Sequence, residues 1–348
     1  MVPRDEPAIP EAIPHDVGDG ALRCLQDLEN RVRWLSSWTI HHANHIREHV
    51  DGLKVGGHQA SCASAVTLMT ALYFHALRPQ DRVAVKPHAS PVFHAIQYLM
   101  GHQSRENLEN FRAKGGAQSY PSRTKDADDV DFSTGSVGLG PAMTAFSSIV
   151  QDYLRRHHDD LRREEPRRMI AVVGDAEMDE GNMYEALWEG WKHDLRNCWW
   201  IIDYNRQSLD GVVTDHLFRL IDRLFRTTGW RVLNLKYGKR MMAAFKRPGG
   251  KALKKWINDC PNDLYSALTF QGGAAWREHL MGDLADDSAA AALIGECTDD
   301  DLQALMTNLG GHCLETVLDA FATAAKDDRP TCFIAYTVKG WGLPLQGH

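Results

Sequence analysis

Residues Ala171–Gly190 read AVVGDAEMDEGNMYEALWEG, a short apolar run that ends abruptly in carboxylates. Asp175, Glu177, Asp179, Glu180 and Glu185 follow one another closely, with a glycine on each side of the first four. The wider stretch RMIAVVGD (168–175) has the continuous apolar character of a strand buried on both faces, and 181–195 reads as a helix. Working outward, CWWIIDYN (198–205) is a strand and about 215–227 a helix. GWRVLNLKYG (229–238) and PTCFIAYTVKG (330–340) are two further strands. Upstream, Leu22, Leu25, Leu28, Val32 and Leu35 fall at helical spacing within a helix expected over 21–49. GGHQAS (56–61) breaks the chain before a mostly buried helix over 63–77, and RVAVKPHASP (82–91) is a short strand ending in a polar loop. Apolar strands alternating with helices predict an α/β fold, a parallel sheet with helices on both faces. Ligands of such sheets sit at the carboxyl ends of the strands. GDAEMDE, DYNRQSLDG and TVKGWG all lie there.

Composition narrows the class of function. The 348 residues carry a net charge of −7, with 43% apolar and 24% charged residues, as in ordinary globular proteins. A mildly acidic balance argues against nucleic acid or an anionic membrane as the main partner. No apolar run reaches the roughly 18 residues of a membrane span. Seven cysteines without C-x-x-C spacing read as reduced thiols of a cytoplasmic protein. Residues 1–20 hold four prolines and read as an extended or disordered arm, leaving 21–348 as one domain. The mixed-charge run DDLRREEPRR (159–168) reads as a solvated connector.

Two features carry chemistry. In TGSVGLGPAMTAF (134–146), Gly135, Gly138 and Gly140 precede a helix expected to start at Pro141. Free amides at a helix N-terminus suit phosphate oxygens, although the same loop serves equally as a helix cap. The spacing is not that of a dinucleotide fingerprint. Asp175 and Asn205 each end a strand, with one helix between. Neighbouring strand ends lie about 5 Å apart, so both side chains can reach one hard cation such as Mg²⁺, which takes oxygen ligands. Taken singly, Asp175 reads as a helix cap and Asn205 as a turn residue.

The G-D-x-E…N arrangement resembles the diphosphate and metal motif of thiamine-diphosphate enzymes. The resemblance covers about residues 25–346. GGHQAS, HASPVFHA, LENFR, SYP, GSVGLGP, GDAEMDEG, NRQSLDG, GWRVLNLKYG, WREHL, GGH and YTVKGWG succeed one another as in the amino-terminal, diphosphate-binding domain of the homodimeric type of pyruvate dehydrogenase decarboxylating component. Transketolase shares a more distant version. The resemblance implies thiamine diphosphate and Mg²⁺ as cofactors, the metal being held by Asp175, Asn205 and the backbone oxygen of Gln207. Ser61, Ser136, Val137, Gly138, Gly174, Ala176 and Glu177 would line the cofactor. Glu177 stays open between a site-lining acid and a first-turn residue. Asp179, Glu180 and Glu185 read as helix-start or surface charges.

Among seventeen histidines, the resemblance singles out His58 and His88, which would flank the thiazolium and shuttle protons. Tyr120 and Lys339 fall on family positions near substrate; Lys339 also reads as an ordinary loop lysine. His312 matches a family motif without an assigned role. His41, His45 and His49 recur at i, i+4, i+8 but lack Cys or acidic partners for a metal face. His157, His158 and His216 read as solvated. Ala176 stands where the family usually has Gly; it is strained if φ is positive and harmless otherwise. Lys86 and Asp203 replace residues that are commonly amides.

The sequence stops at GWGLPLQGH, whereas the homodimeric enzymes continue through a pyrimidine-binding domain and a third domain. The family's glutamate that activates the cofactor's aminopyrimidine comes from that second domain. The expectation is a split enzyme, inactive alone, with a partner subunit carrying the other domains in an α₂β₂ assembly. Its reaction would be decarboxylation of pyruvate or another 2-oxo acid, with the acyl group passed to a lipoyl or acyl-carrier domain. Transketolase-type two-carbon transfer and a non-catalytic scaffold are the alternatives.

Overall fold

The computed structural model describes residues 17–49, 52–208, 211–212 and 215–347. Most of the arm expected over 1–20 lies outside the described residues. Helix α1 (Asp19–His41) begins before that arm was expected to end. After it come α2 (Gln59–Ala71), β1 (Arg82–Ala84), α3 (Ser90–Leu99), α4 (Leu139–His157), β2 (Met169–Gly174), α5 (Gly181–Lys192) and β3 (Cys198–Tyr204). A small hairpin, β4 (Gln207–Ser208) and β5 (Gly211–Val212), leads to α6 (Leu217–Thr227) and β6 (Arg231–Leu235). Six helices between Lys239 and Met306 precede α7 (Leu314–Ala324) and β7 (Thr331–Tyr336).

The main sheet has the order β1-β2-β3-β7-β6, and every pair is parallel. β2, β3 and β7 are buried along their whole length, which is why their sequences are continuously apolar instead of alternating. Successive side chains serve opposite layers. Ala171, Val173, Trp200 and Ile202 pack into a core with α4, α5 and α6, whereas Ile170, Val172, Trp199 and Ile201 pack into a second core with α1, α2, α3 and α7. The adjacent Trp199 and Trp200 thus anchor the two layers separately. Trp200 Nε1 donates to Thr144 Oγ1 of α4 at 3.1 Å, so its polar handle is satisfied inside the core.

The Gly-rich helix starts at Leu139, two residues earlier than expected, because Gly138 takes the left-handed conformation (φ +78°) at its cap. The run over 159–168 contains one short helix, Asp159–Arg162, with no buried residue, as fits a solvated connector. The six helices over 239–306 form a layer the sequence patterning did not separate.

Candidate active site

Four parallel strands aim their carboxyl ends at one region. Asp175 directly follows β2 and Asn205 directly follows β3; Lys86 lies two residues beyond β1, and Thr337–Lys339 follow β7. The register sets Gly174 opposite Asp203 and Tyr204 opposite Tyr336. Asp175 Oδ2 accepts the amide of Arg206 at 2.7 Å, and Asn205 Oδ1 accepts that of Gln207 at 3.0 Å. Asp175 and the 205–207 turn are therefore in direct contact. Arg206 makes this turn possible with φ +66°, a left-handed residue no periodicity reveals.

Asp175 is buried, and burial followed by the neighbouring Asp203 pushes its carboxyl up to about 7 despite two amide bonds. A dication would offset that cost, and a carboxylate, an amide oxygen and nearby backbone oxygens are a hard-cation donor set. Ala176 has a negative φ and donates to Asp175 Oδ1, so the methyl group in place of glycine is unstrained.

The glycine loop packs against the end of β2. Glu177 is buried, its two oxygens accepting the amides of Gly138 and Gly174 at 2.8 Å each. It acts as a brace between the loop and the end of β2, a third role beside the two left open. This corrects one expectation: the Gly138 amide is consumed by Glu177 and is not free for phosphate. The amides of Gly135, Ser136 and Val137 make no hydrogen bond among the described residues, and they precede the N-terminus of α4. Residues and cofactor fit: free amides and a helix dipole for a diphosphate, Asp175 and Asn205 for its metal.

Asp203, fully buried, ties the region together. Its carboxylate accepts Ser64 Oγ at 2.6 Å, Lys86 Nζ at 2.7 Å and Thr337 Oγ1 at 2.5 Å. Burial alone would raise its pKa; the Lys86 ammonium and the two hydroxyls more than offset this and hold it below the usual carboxylate range. The two residues that depart from the usual amides thus form one ion pair.

His58 and His88 stack at 4.3 Å between ring centroids, and Tyr120 lies 6.4 Å from His88. Cys62 fixes both histidine backbones, its amide donating to His58 O and its thiol to His88 O. Burial, then the charges of Arg112 and Lys86 and of Lys339, lowers the pKa of His58; His88, which also faces His58, is pushed down to about 4. Both shifts favour the neutral imidazole. Lys339 is brought to this edge by Gly340, whose amide donates to Ala60 O at 3.0 Å. His312 has a positioning role: its Nε2 accepts the Val338 amide at 2.7 Å and its ring stacks on Trp341, which braces the loop bearing Lys339. Ser61 sits in the first turn of α2, half-buried, and Ser136 is exposed.

Arg112 and Arg206 are the residues sequence reasoning passed over, although Arg112 stood inside the quoted LENFR. Both adopt positive φ. Of the His41, His45, His49 series, His41 and His45 stack at 4.9 Å between ring centroids, but His49 lies beyond the π-helical turn His42–Ile46 that ends the helix. His157, His158 and His216 are exposed, as are Asp179, Glu180 and Glu185. His94, Asp126 and Asp128 cluster closely enough to hold an ion. However, both His94 nitrogens are engaged, by Asp128 and by Gln118 O, and Asp126 accepts the amides of Gln118 and Ser122. That cluster locks a loop. All seven cysteines are unpaired, and among the described residues no helix is long and apolar enough to cross a membrane.

Residues 63–252 match the transketolase, thiamine diphosphate binding domain family, and the chain belongs to it. Within that class, the chain is 29% identical over 336 residues to the pyruvate dehydrogenase E1 component of Escherichia coli K12, and 30% identical over 334 residues to that of Cupriavidus necator. These alignments take in 93% and 91% of this chain but 36% of each relative. The chain thus spans about a third of the relatives it matches. Transketolases from Campylobacter jejuni and Leishmania mexicana share the fold, with TM-scores of 0.62 and 0.63 over 93% of this chain at 19% and 16% identity.

Proposed function

We propose that this chain is the diphosphate- and Mg²⁺-binding part of a thiamine-diphosphate enzyme that decarboxylates pyruvate or a related 2-oxo acid and hands the acyl group to a lipoyl or acyl-carrier domain. The observation that carries the reading is the contact between Asp175 and the 205–207 turn, beside the free amides of Gly135–Val137. Bound thiamine diphosphate would supply the carbanion chemistry of the cleavage. This chain's residues would anchor and orient it. Asp175, Asn205 and the Gln207 backbone oxygen hold the metal, and Gly174, Ala176 and Ser61 line the cradle. His58 and His88, with Tyr120 beside them, would accept or donate protons during the cleavage. Lys339 offers a cation to a substrate carboxylate. Sequence relatives favour the 2-oxo acid over a ketose phosphate, since the transketolase likeness is one of fold.

The pyrimidine-binding part would come from polypeptide outside these residues, in the same protein or in a partner subunit of a larger assembly. An exposed aromatic face supports this: Phe146, Val150 and Tyr153 of α4 lie exposed, as do Tyr184, Trp188 and Trp191 of α5, on two helices that pack together. Patches of this kind mark interaction surfaces. Of the two features that favour a scaffold without chemistry, Ala176 and the missing domain, the first falls away, because Ala176 is unstrained.

Calorimetry of thiamine diphosphate with Mg²⁺ tests the reading, using the chain alone and assembled with a pyrimidine-binding domain. We expect Mg²⁺-dependent binding that tightens in the assembly and weakens at least 100-fold in Asp175→Ala, with the melting temperature little changed. Equal binding by Asp175→Ala would overturn it.

A further inference from the structure

We propose that Lys86 is a phosphate-directed cation built into the cradle and held in place by Asp203, and that it lets this chain retain a diphosphate group without a divalent cation. This rests on the cofactor reading above.

Lys86 is a buried lysine, its side chain 5% exposed, and its ammonium contacts Asp203 at 2.7 Å. Its aliphatic end crosses the residue before Asp175: a Cβ on Gly174 would lie 3.3 Å from Lys86 Cε. The ammonium is therefore beside the end of β2 and not out on the rim. The hydrogen-bond inventory around it is unequal. Asp203 accepts from three donors, whereas Lys86, with three N–H groups to give, bonds only Asp203 among the described residues. The other nearby acids are occupied. Glu177 is taken up by two amides and Asp175 by those of Ala176 and Arg206.

A buried ammonium with unmet donors is costly unless an acceptor arrives. An oxyanion held by the Gly135–Val137 amides is the acceptor chemistry this cradle is built for, and its bonds to Lys86 would be charge-assisted. The pair also differs from two amides in kind. Asp203 is spent on Ser64, Thr337 and Lys86, so its field is locally compensated, while the lysine retains donors to offer. Lys86 would thus add charge-assisted N–H donors, from a pair that is neutral overall, to the site where Asp175 and Asn205 would hold Mg²⁺.

The test is titration of the full chain with inorganic pyrophosphate, in excess EDTA and again with Mg²⁺. The comparison protein is Lys86→Gln/Asp203→Asn, which removes both charges and leaves neither buried alone. We expect the wild type to bind in EDTA and the double variant to lose at least tenfold there, but less than threefold with Mg²⁺, while melting within a few degrees of the wild type. Equal affinities in EDTA would reduce Lys86 to a structural partner of Asp203 and overturn the proposal. The wild-type arm stands by itself if the variant does not fold: pyrophosphate binding that vanishes in EDTA also overturns it, and leaves the cofactor reading intact. Failure of the wild type to bind either pyrophosphate or thiamine diphosphate with Mg²⁺ would defeat both.

Discussion

Asp81 precedes β1 and Arg168 precedes β2, so their ion pair clamps the amino ends of the two strands as Lys86 and Asp203 clamp the carboxyl ends of β1 and β3. Asp81 accepts the Arg168 amide and Nε at 2.9 Å each, and it also bonds Arg78. Burial pushes its carboxyl up, but the Arg168 and Arg78 bonds prevail and hold it below the ordinary 3.8. A depressed carboxyl stabilises the fold above its unfolded value, and that contribution disappears as pH falls through the folded one. Asp81→Asn should therefore cost about 3 kcal/mol at neutral pH, as breaking a buried pair does. The difference from wild type should shrink as denaturation is followed down through pH 4. A gap that stays constant to pH 2 would contradict this assignment.

Among the elements, the turn before α4 depends on a single glycine. Gly138 has φ +78°, and a Cβ there would meet Asn182 Oδ1 at 2.5 Å and Glu180 Cβ at 2.8 Å. Gly138→Ala should destabilise by about 1–3 kcal/mol from the left-handed backbone alone, with further loss from the clash. It should also weaken pyrophosphate binding, since the brace through Glu177 would shift; chemical denaturation and calorimetry on one preparation separate the two. The same element shows where sequence reading worked and where it stopped. GSVGLGP announced a glycine turn into a helix, and the apolar runs announced β2, β3 and β7, because fully buried parallel strands leave an unbroken signature; β6, at the sheet edge, is buried at three of its five positions. Which amide the turn would spend internally depended on Glu177, a residue whose contact across 39 positions no spacing encodes. Lys86 and Asp203 were visible as departures, yet only the strand register makes them one pair. The helices over 239–306 are short, and several are weakly amphipathic, so they lacked a clear period.

At the scale of the whole molecule, the two cores meet only through the sheet, and the strands that join them come from distant parts of the chain. β3 and β6 do not pair with each other; β7 lies between them and bonds to both, residue 199 and residue 231 each facing 331. A chain cut after Arg329 would retain the site residues on β1, β2 and β3 and lose Thr337 and Lys339, yet present two raw parallel edges. Such a truncation should lose cooperative melting and become sensitive to protease throughout, even at the Asp175 end. A cooperative transition near that of the full chain would show that β1, β2, β3 and β6 suffice.

The central place of β7 sets a timetable for synthesis. As the polypeptide leaves the ribosome, helices and the β1–β2–β3 group can gather early, but the layer cannot be completed until β7 (Thr331–Tyr336) has emerged. For that interval the future cofactor cradle is half-walled, with β3 open on one side and the aromatic helices α4 and α5 already made. Nascent chains of this protein would then be most exposed to off-pathway strand pairing, and most in need of chaperone cover, in the interval after β6 has emerged and before β7 has.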